Sequence, residues 1–130
     1  MGIFYVLGRL LFGAYFLYHG YNHFAKADKL IGYAKSKGVA QAKEMVYLGG
    51  ILLLLGGFSF VTNAFMGFGV LALLLFMIPV TFKMHQFWTV TDPEARASEM
   101  SSFMRNMALI GALLMLLPAG SMMWNYPMFW

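Results

Sequence analysis

The feature that most constrains this chain is a long stretch without charge: residues 45–82 contain no Asp, Glu, Lys or Arg. A single helix over that stretch would be about 57 Å long at 1.5 Å per residue, whereas the hydrocarbon core of a bilayer is about 30 Å thick. The stretch must therefore fold back on itself. Thr62 and Asn63 are its most polar point and Gly67 follows closely, so we predict a tight turn around residues 62–66.

This turn separates two predicted membrane spans, 45–61 and 65–85, and two further hydrophobic segments, 3–24 and 103–124, bring the number to four. Composition agrees, because 61% of the 130 residues are hydrophobic and only 11% are charged, against about 25% charged in soluble domains. Pro79 and Pro118 fall inside spans, where each removes a backbone donor, so we expect kinks there. The aromatic tail 124–130 suits the interface between lipid and water.

We therefore predict one all-α domain over residues 1–130, an integral membrane four-helix bundle. The polar segment 25–43 carries lysines and apolar residues at near-helical spacing, which indicates a short interfacial helix between spans one and two, ended by Gly38. In the second polar segment, 89–102, Asp92 and Pro93 are typical of a helix start, with Asp92 as the cap.

Small residues recur at helical spacing within the second span, where Gly49 and Gly50 precede Gly56 and Gly57 by seven residues. Small side chains let helix backbones approach closely in lipid, where packing drives association. We expect these glycines to serve packing.

Basic residues are distributed unevenly about the four predicted spans. The loop side holds Lys26, Lys29, Lys35, Lys37, Lys43, Lys83, Arg96 and Arg105, and only Arg9 lies toward the termini. The positive-inside rule then places loops 25–43 and 89–102 in the cytoplasm and both termini outside. The net charge of +4 suits anionic membrane lipids as partners. Nucleic acid is not expected, because no polar segment interleaves these cations with stacking aromatics.

Every predicted span has polar residues near its loop-side end. Polar side chains are costly inside hydrocarbon, so their presence there needs a reason. The candidate cofactor-binding residues are His19, His23, Glu44, His85, Arg105 and Asn106. One interpretation is a polar pocket for a quinone head group, a haem, a metal or a small anion, in which Glu44 pairs with Lys83 or Arg105 or orients a histidine. The alternative is that these are helix-end residues that extend toward water and head groups.

Specific cofactor signatures are absent from the sequence. His19 and His23 stand four apart but lack the His-Glu-x-x-His signature, so we predict no metal site. Haem held between histidines of spans one and three is conceivable but ranks behind a quinone. The chain has no cysteine, which excludes thiol redox chemistry and thiolate metal sites. No catalytic residue is assigned.

The order and spacing of several short motifs resemble the DoxX family of small four-span bacterial membrane proteins. They cover nearly the whole chain: Leu7-Gly8-Arg9, His19-Gly20-x-x-His23-Phe24, Ser36-Lys37-Gly38-Val39, Gly49-Gly50, His85-Gln86-Phe87-Trp88 and Phe103-Met104-Arg105-Asn106. The resemblance implies a four-helix fold in the bacterial inner membrane. It also implies an association with redox systems, since the family takes its name from a small subunit found with a thiosulfate:quinone oxidoreductase.

We expect an accessory subunit or membrane partner of a quinone-linked redox system, with a redox protein or a second copy of the chain as partner, rather than a stand-alone enzyme. Two alternatives remain open. One is a non-catalytic membrane anchor or assembly partner, favoured by the small mass outside the predicted spans. The other is a small transporter, which would need a carboxylate deep in the membrane, whereas Glu44 lies at the edge of a span.

Overall fold

The structure, a computed structural model, describes residues 2–117, and all regular elements in that range are helical. The five α-helices are α1 (Ile3–Ala25), α2 (Ala27–Ser36), α3 (Ala42–Thr62), α4 (Met66–Met84) and α5 (Pro93–Leu116), with one 3-10 turn at Phe87–Thr89 between α4 and α5. The predicted all-α class is confirmed for this range. Pro118 and the aromatic tail 124–130 lie outside the described residues.

The predicted turn in the charge-free stretch is confirmed, because α3 ends at Thr62 and α4 begins at Met66. Asn63 and Phe65 reverse the chain there with φ angles of 59° and 51°, in the left-handed region that asparagine tolerates better than most residues. Asn63 is also buried. Pro79 lies inside α4, which continues beyond it to Met84.

The two polar segments form helices where the sequence predicts them. The helix in the first segment is α2, and Gly38 follows it with a φ of 78°, so the predicted break is confirmed. The helix in the second segment is the start of α5, which begins at Pro93. Asp92 caps it by accepting a hydrogen bond from the Ala95 backbone N–H at 3.0 Å. The polar segment and the start of the predicted fourth span belong to one helix, because α5 runs without a break from Pro93 to Leu116. The helix therefore begins before residue 103, the predicted start of the span.

The four long helices share one apolar core, and each packs against the next long helix along the chain. α3 packs against α1, α2 and α4, and α5 packs against α4. Phe16, Leu53, Leu73 and Leu113, one each from α1, α3, α4 and α5, are almost completely buried in this core. Each of the four long helices therefore contributes side chains to one apolar core.

At one point of the contact between α1 and α3, the two backbones meet directly. A Cβ added to Gly57 would lie 2.9 Å from the Gly13 carbonyl oxygen, and one added to Gly13 would lie 2.8 Å from the Gly57 carbonyl oxygen. Only glycine permits helices to approach so closely. The predicted packing role of Gly57 is confirmed.

The outward faces of α3 and α4 are as apolar as the core. Residues at helical spacing are exposed along both: Leu48, Ile51, Leu55, Phe58, Phe68, Leu71, Leu75, Ile78 and Phe82. Such a continuous patch is foreign to the surface of a soluble monomer. Among residues 2–117, two segments are long and apolar enough to cross a membrane, Ala42–Thr62 and Met66–Thr89.

Candidate functional site

His23 is fixed at the contact between α1 and α3. Its Nδ1–H donates a hydrogen bond to the Val46 carbonyl oxygen at 2.8 Å, and its ring meets Phe76 of α4 edge to face at 5.4 Å between centroids. Gly49 leaves room for the imidazole, because a Cβ there would lie 3.2 Å from His23 Cε1. The Nδ1 bond leaves Nε2 as an acceptor in the neutral ring.

His19 lies one turn earlier on α1 and is half-buried. Its ring packs between two tyrosines of the same helix, with centroids 4.4 Å from Tyr15 and 5.5 Å from Tyr18. The guanidinium of Arg105, on α5, interacts electrostatically with it. The charge of Arg105 on α5 therefore acts on α1 near the loop-side end of that helix.

His85 follows the last residue of α4 and faces a carboxylate of α5. Its Nδ1 lies 3.4 Å from Glu99 Oε2, within ion-pair range but without the geometry of a hydrogen bond. The charge of Arg105 acts on His85 as it does on His19. His19, His85 and Arg105 thus lie toward the same end of the molecule.

Glu44 does not join this group. It is exposed in the first turn of α3, and it forms no ion pair or hydrogen bond within residues 2–117. The predicted pairing with Lys83 or Arg105 is therefore absent from the described structure. Asn106 is buried on the inner face of α5, while its neighbour Arg105 is exposed.

The carboxylate that contacts a histidine is Glu99, which sequence reasoning missed. It accepts a hydrogen bond from the Tyr33 hydroxyl at 3.0 Å on Oε1 and another from Lys37 Nζ at 3.3 Å on Oε2, the oxygen that also faces His85. We call Tyr33, Lys37, His85 and Glu99 the Glu99 cluster. Tyr33 lies in the last turn of α2 and Lys37 is the residue that caps its C-terminus, and no spacing in the sequence connects either of them to Glu99.

The Glu99 cluster keeps its carboxylate charged. Burial raises the pKa of Glu99, but the Tyr33 hydrogen bond and the Lys37 charge outweigh it and hold the pKa below the usual range. Burial and the bond to Glu99 raise the pKa of Tyr33 to about 12. At neutral pH the cluster therefore contains an anionic Glu99 and a neutral Tyr33.

Aromatic rings beside His85 attach the 3-10 turn to α5. Phe87 and Trp88 each pack edge to face on Phe103, with centroids 5.4 Å and 5.7 Å away, and Phe82 meets the same ring from α4 at 5.7 Å. Arg96 lies over Phe87 at 5.8 Å. The His85-Gln86-Phe87-Trp88 motif therefore fixes the position of His85 relative to α5.

In residues 2–117, no three or more His, Asp or Glu side chains are arranged to hold a metal ion. The loop-side end offers imidazole nitrogens, a guanidinium and a carboxylate, groups suited to hydrogen bonds and proton exchange.

An all-helical chain with lipid-like outer faces and polar side chains gathered at one end defines a small membrane protein. The DoxX family profile matches residues 4–86, from the start of α1 to just past His85. The chain therefore belongs to the DoxX family and is a membrane protein. No curated protein and no solved structure matches it.

Proposed function

We propose that this DoxX protein crosses the bacterial inner membrane four times, as a bundle of α1, α3, α4 and α5. Two of these helices meet the length and hydropathy needed for a crossing, and the outer faces of α1 and α5 also carry exposed apolar residues such as Leu11 and Met115. The basic residues concentrate on the loop side, which favours cytoplasmic loops and external termini.

We further propose that the loop-side end binds the head group of a membrane quinone for a redox system to which this chain is an accessory subunit. The observation that carries this proposal is that two half-buried histidines, His19 and His85, both lie within the electrostatic influence of Arg105. A quinone needs hydrogen-bond donors at its oxygens and positive charge where negative charge develops on reduction. Imidazole and guanidinium supply both, at the depth where a polar head meets an apolar tail.

The three histidines would have different tasks in such a site. His23 already donates to the Val46 carbonyl, so it holds α1 on α3 and offers only Nε2. Within residues 2–117, His19 packs on the rings of Tyr15 and Tyr18 and makes no hydrogen bond, and His85 faces Glu99. We therefore assign head-group binding to His19 and His85, and the buried amide of Asn106 is a further donor on α5.

Quinone binding is tested directly on the purified protein in detergent, with a short-chain quinone followed by fluorescence quenching or calorimetry. His19→Ala and His85→Ala should each weaken binding about tenfold, the loss expected for one buried hydrogen bond to a charged or polarised group. The matched control is Leu11→Ala, on the same helix as His19 but exposed at the other end, and it should bind like the parent.

Absence of quinone binding in the parent protein would overturn this function, as would unchanged binding in both histidine variants. Circular dichroism of each variant, compared with the parent, establishes that the helices remain folded. A loss of binding without a loss of helix content assigns the effect to the site.

A second candidate function, an assembly partner for another membrane protein, is favoured by a groove at the opposite end. This groove, about 430 Å³, opens between α3 and α4 and has apolar walls that include Phe58, Phe65 and Phe68 around Gly69. A helix of a redox partner or of a second copy would fit such a surface. Phe58→Ala, which removes an exposed wall of the groove, should abolish co-purification of that partner, and recovery of parent and variant always alone would contradict this candidate.

A further inference from the structure

Helix α2 lies across the loop-side ends of three other helices. Its buried Ala34 packs with Ala42 and Val46 of α3 and with Met84 at the end of α4. Its last turn reaches α5, because Tyr33 and Lys37 both bond to Glu99. α2 therefore covers the end of the molecule where the candidate quinone site lies.

The two attachments of α2 differ in strength and kind. The apolar attachment has three small buried side chains at its centre, Ala34, Ala42 and Val46, with Leu30, Ile31, Val39 and Met84 packed around them. The polar attachment concentrates on one carboxylate whose side chain is only 17% exposed. Charged hydrogen bonds are roughly twice as strong as neutral ones, and Glu99 accepts two of them, from Tyr33 and Lys37, which attach the end of α2 to α5.

The connections of α2 to its neighbours are short and bent. Lys26 alone separates it from α1. On the other side, Gly38 and Gln41 have φ angles of 78° and 52°, in the left-handed region where the backbone changes direction. Gly38, which has no Cβ, is the position best able to absorb a rotation of α2.

We propose that α2 is a hinged cover over the loop-side end of the helices and that Glu99 is the residue that holds it closed. Glu99 also faces His85, so the same carboxylate positions the histidine and retains the cover. Release of α2 would expose His85 and the surface beneath Ala34 to cytoplasmic water. The proposal rests on the proposed function only for what the cover encloses; the hinge and its fastening stand on their own contacts.

The absence of cysteine from the chain permits a single-cysteine reporter. Ala42→Cys places a thiol beneath α2 at a position only 4% exposed, and its rate of reaction with a water-soluble maleimide measures opening of the cover. With Glu99→Gln added, labelling should accelerate about five- to tenfold, the effect of removing a charge from a hydrogen-bonded cluster. With Lys37→Ala added, it should accelerate less, because Tyr33 still bonds to Glu99.

The matched control is Glu94→Gln, an exposed carboxylate in the first turn of the same helix, which should leave the labelling rate at that of Ala42→Cys alone. Equal rates in the Glu99→Gln and Glu94→Gln backgrounds would overturn the proposal. Hydrogen exchange by mass spectrometry separates local opening from unfolding: Glu99→Gln should speed exchange in α2 and leave the middle of α3 unchanged. Faster exchange in both helices would also overturn it.

Failure of the quinone proposal has a different signature. If Glu99→Gln accelerates labelling while the parent protein binds no quinone, the cover is supported and the quinone function is rejected. If the parent binds quinone and Glu99→Gln leaves labelling unchanged, the cover is rejected and the quinone site stands.

Discussion

The two ends of this molecule are held together by different forces. At the α3–α4 turn and along the α1–α3 contact, helices meet through backbone, as at Gly13 and Gly57, with no charged residue in 45–82. At the loop side, the Glu99 cluster joins α2, α5 and the residue after α4 through charge and hydrogen bonds. The first end is built for permanent contact, and the second can open while the first stays intact.

The largest effect should come from the packed end. Gly57→Ala adds a methyl group 2.9 Å from the Gly13 carbonyl oxygen, and backbone cannot yield as a flexible side chain does, so we expect a loss of about 1–3 kcal/mol in unfolding free energy. Thermal or denaturant unfolding in detergent measures it. Gly111→Ala, where a Cβ meets nothing within 4 Å, should be neutral or slightly stabilising. Equal losses in the two variants would contradict backbone packing at Gly57.

A smaller loss should follow from the polar end. Glu99→Gln keeps an acceptor for Tyr33 but removes the charge that faces Lys37 and His85, so we expect a loss of about 1–2 kcal/mol. The same unfolding measurement applies, with Glu94→Gln as the control. A loss as large as that of Gly57→Ala would mean that the loop-side end is not the weaker one.

Acid should loosen the polar end selectively. The pKa of Glu99 is held below its ordinary value of 4.5, so its contribution to stability is complete above that value and disappears as pH falls through the lower pKa of the folded state. As pH is lowered from neutral, the protection of α2 against hydrogen exchange and the midpoint temperature of unfolding should both fall more in the parent than in Glu99→Gln. Parallel pH curves for the two proteins would refute this.

Alkali should act through Tyr33 with the opposite sign. Its pKa is raised from 10.0 to about 12, so the neutral phenol stabilises the fold fully below the unfolded value and the contribution is lost as pH rises through about 12. Tyr33→Phe removes the titrating hydroxyl and should show a flatter alkaline decline in stability. An unchanged decline would assign it to other groups.

The smallest effect is expected at Thr81 on α4. This side chain is completely buried and its hydroxyl has no hydrogen-bond partner in residues 2–117. Thr81→Val keeps the shape and removes the unsatisfied group, so unfolding free energy should stay the same or rise by less than about 1 kcal/mol. A clear loss of stability would show that the hydroxyl has a partner, such as a water molecule.

The contrast between the two ends also explains what the sequence could reveal. The turn after Thr62, the break at Gly38 and the cap at Asp92 depend on residues within a few positions of one another, and all three predictions are confirmed. The contact of Tyr33 with Glu99 joins residues 66 positions apart. It exists because α2 folds back over α5, which no local periodicity encodes.

Glu44 is the opposite case, a residue that the sequence predicts in the candidate site but that lies outside it. Its position at the start of a span made it the natural carboxylate for the candidate site, but the helical phase of α3 turns it outward. The start of α5 was predicted from Asp92 and Pro93, yet the polarity of 94–102 hid that the helix continues into the apolar part. Residue type and spacing predict which elements form, whereas the partners of a charge depend on how those elements are packed.

The central claim is that α2 and the start of α5 lie on the cytoplasmic side of a membrane crossed by the four long helices. Single cysteines at Lys35, Glu94, Gly2 and Phe65 test it in spheroplasts with a membrane-impermeant maleimide. The account predicts that Gly2→Cys and Phe65→Cys react in intact spheroplasts, and that Lys35→Cys and Glu94→Cys react only after permeabilisation. Reaction of Lys35→Cys and Phe65→Cys under the same condition would contradict it.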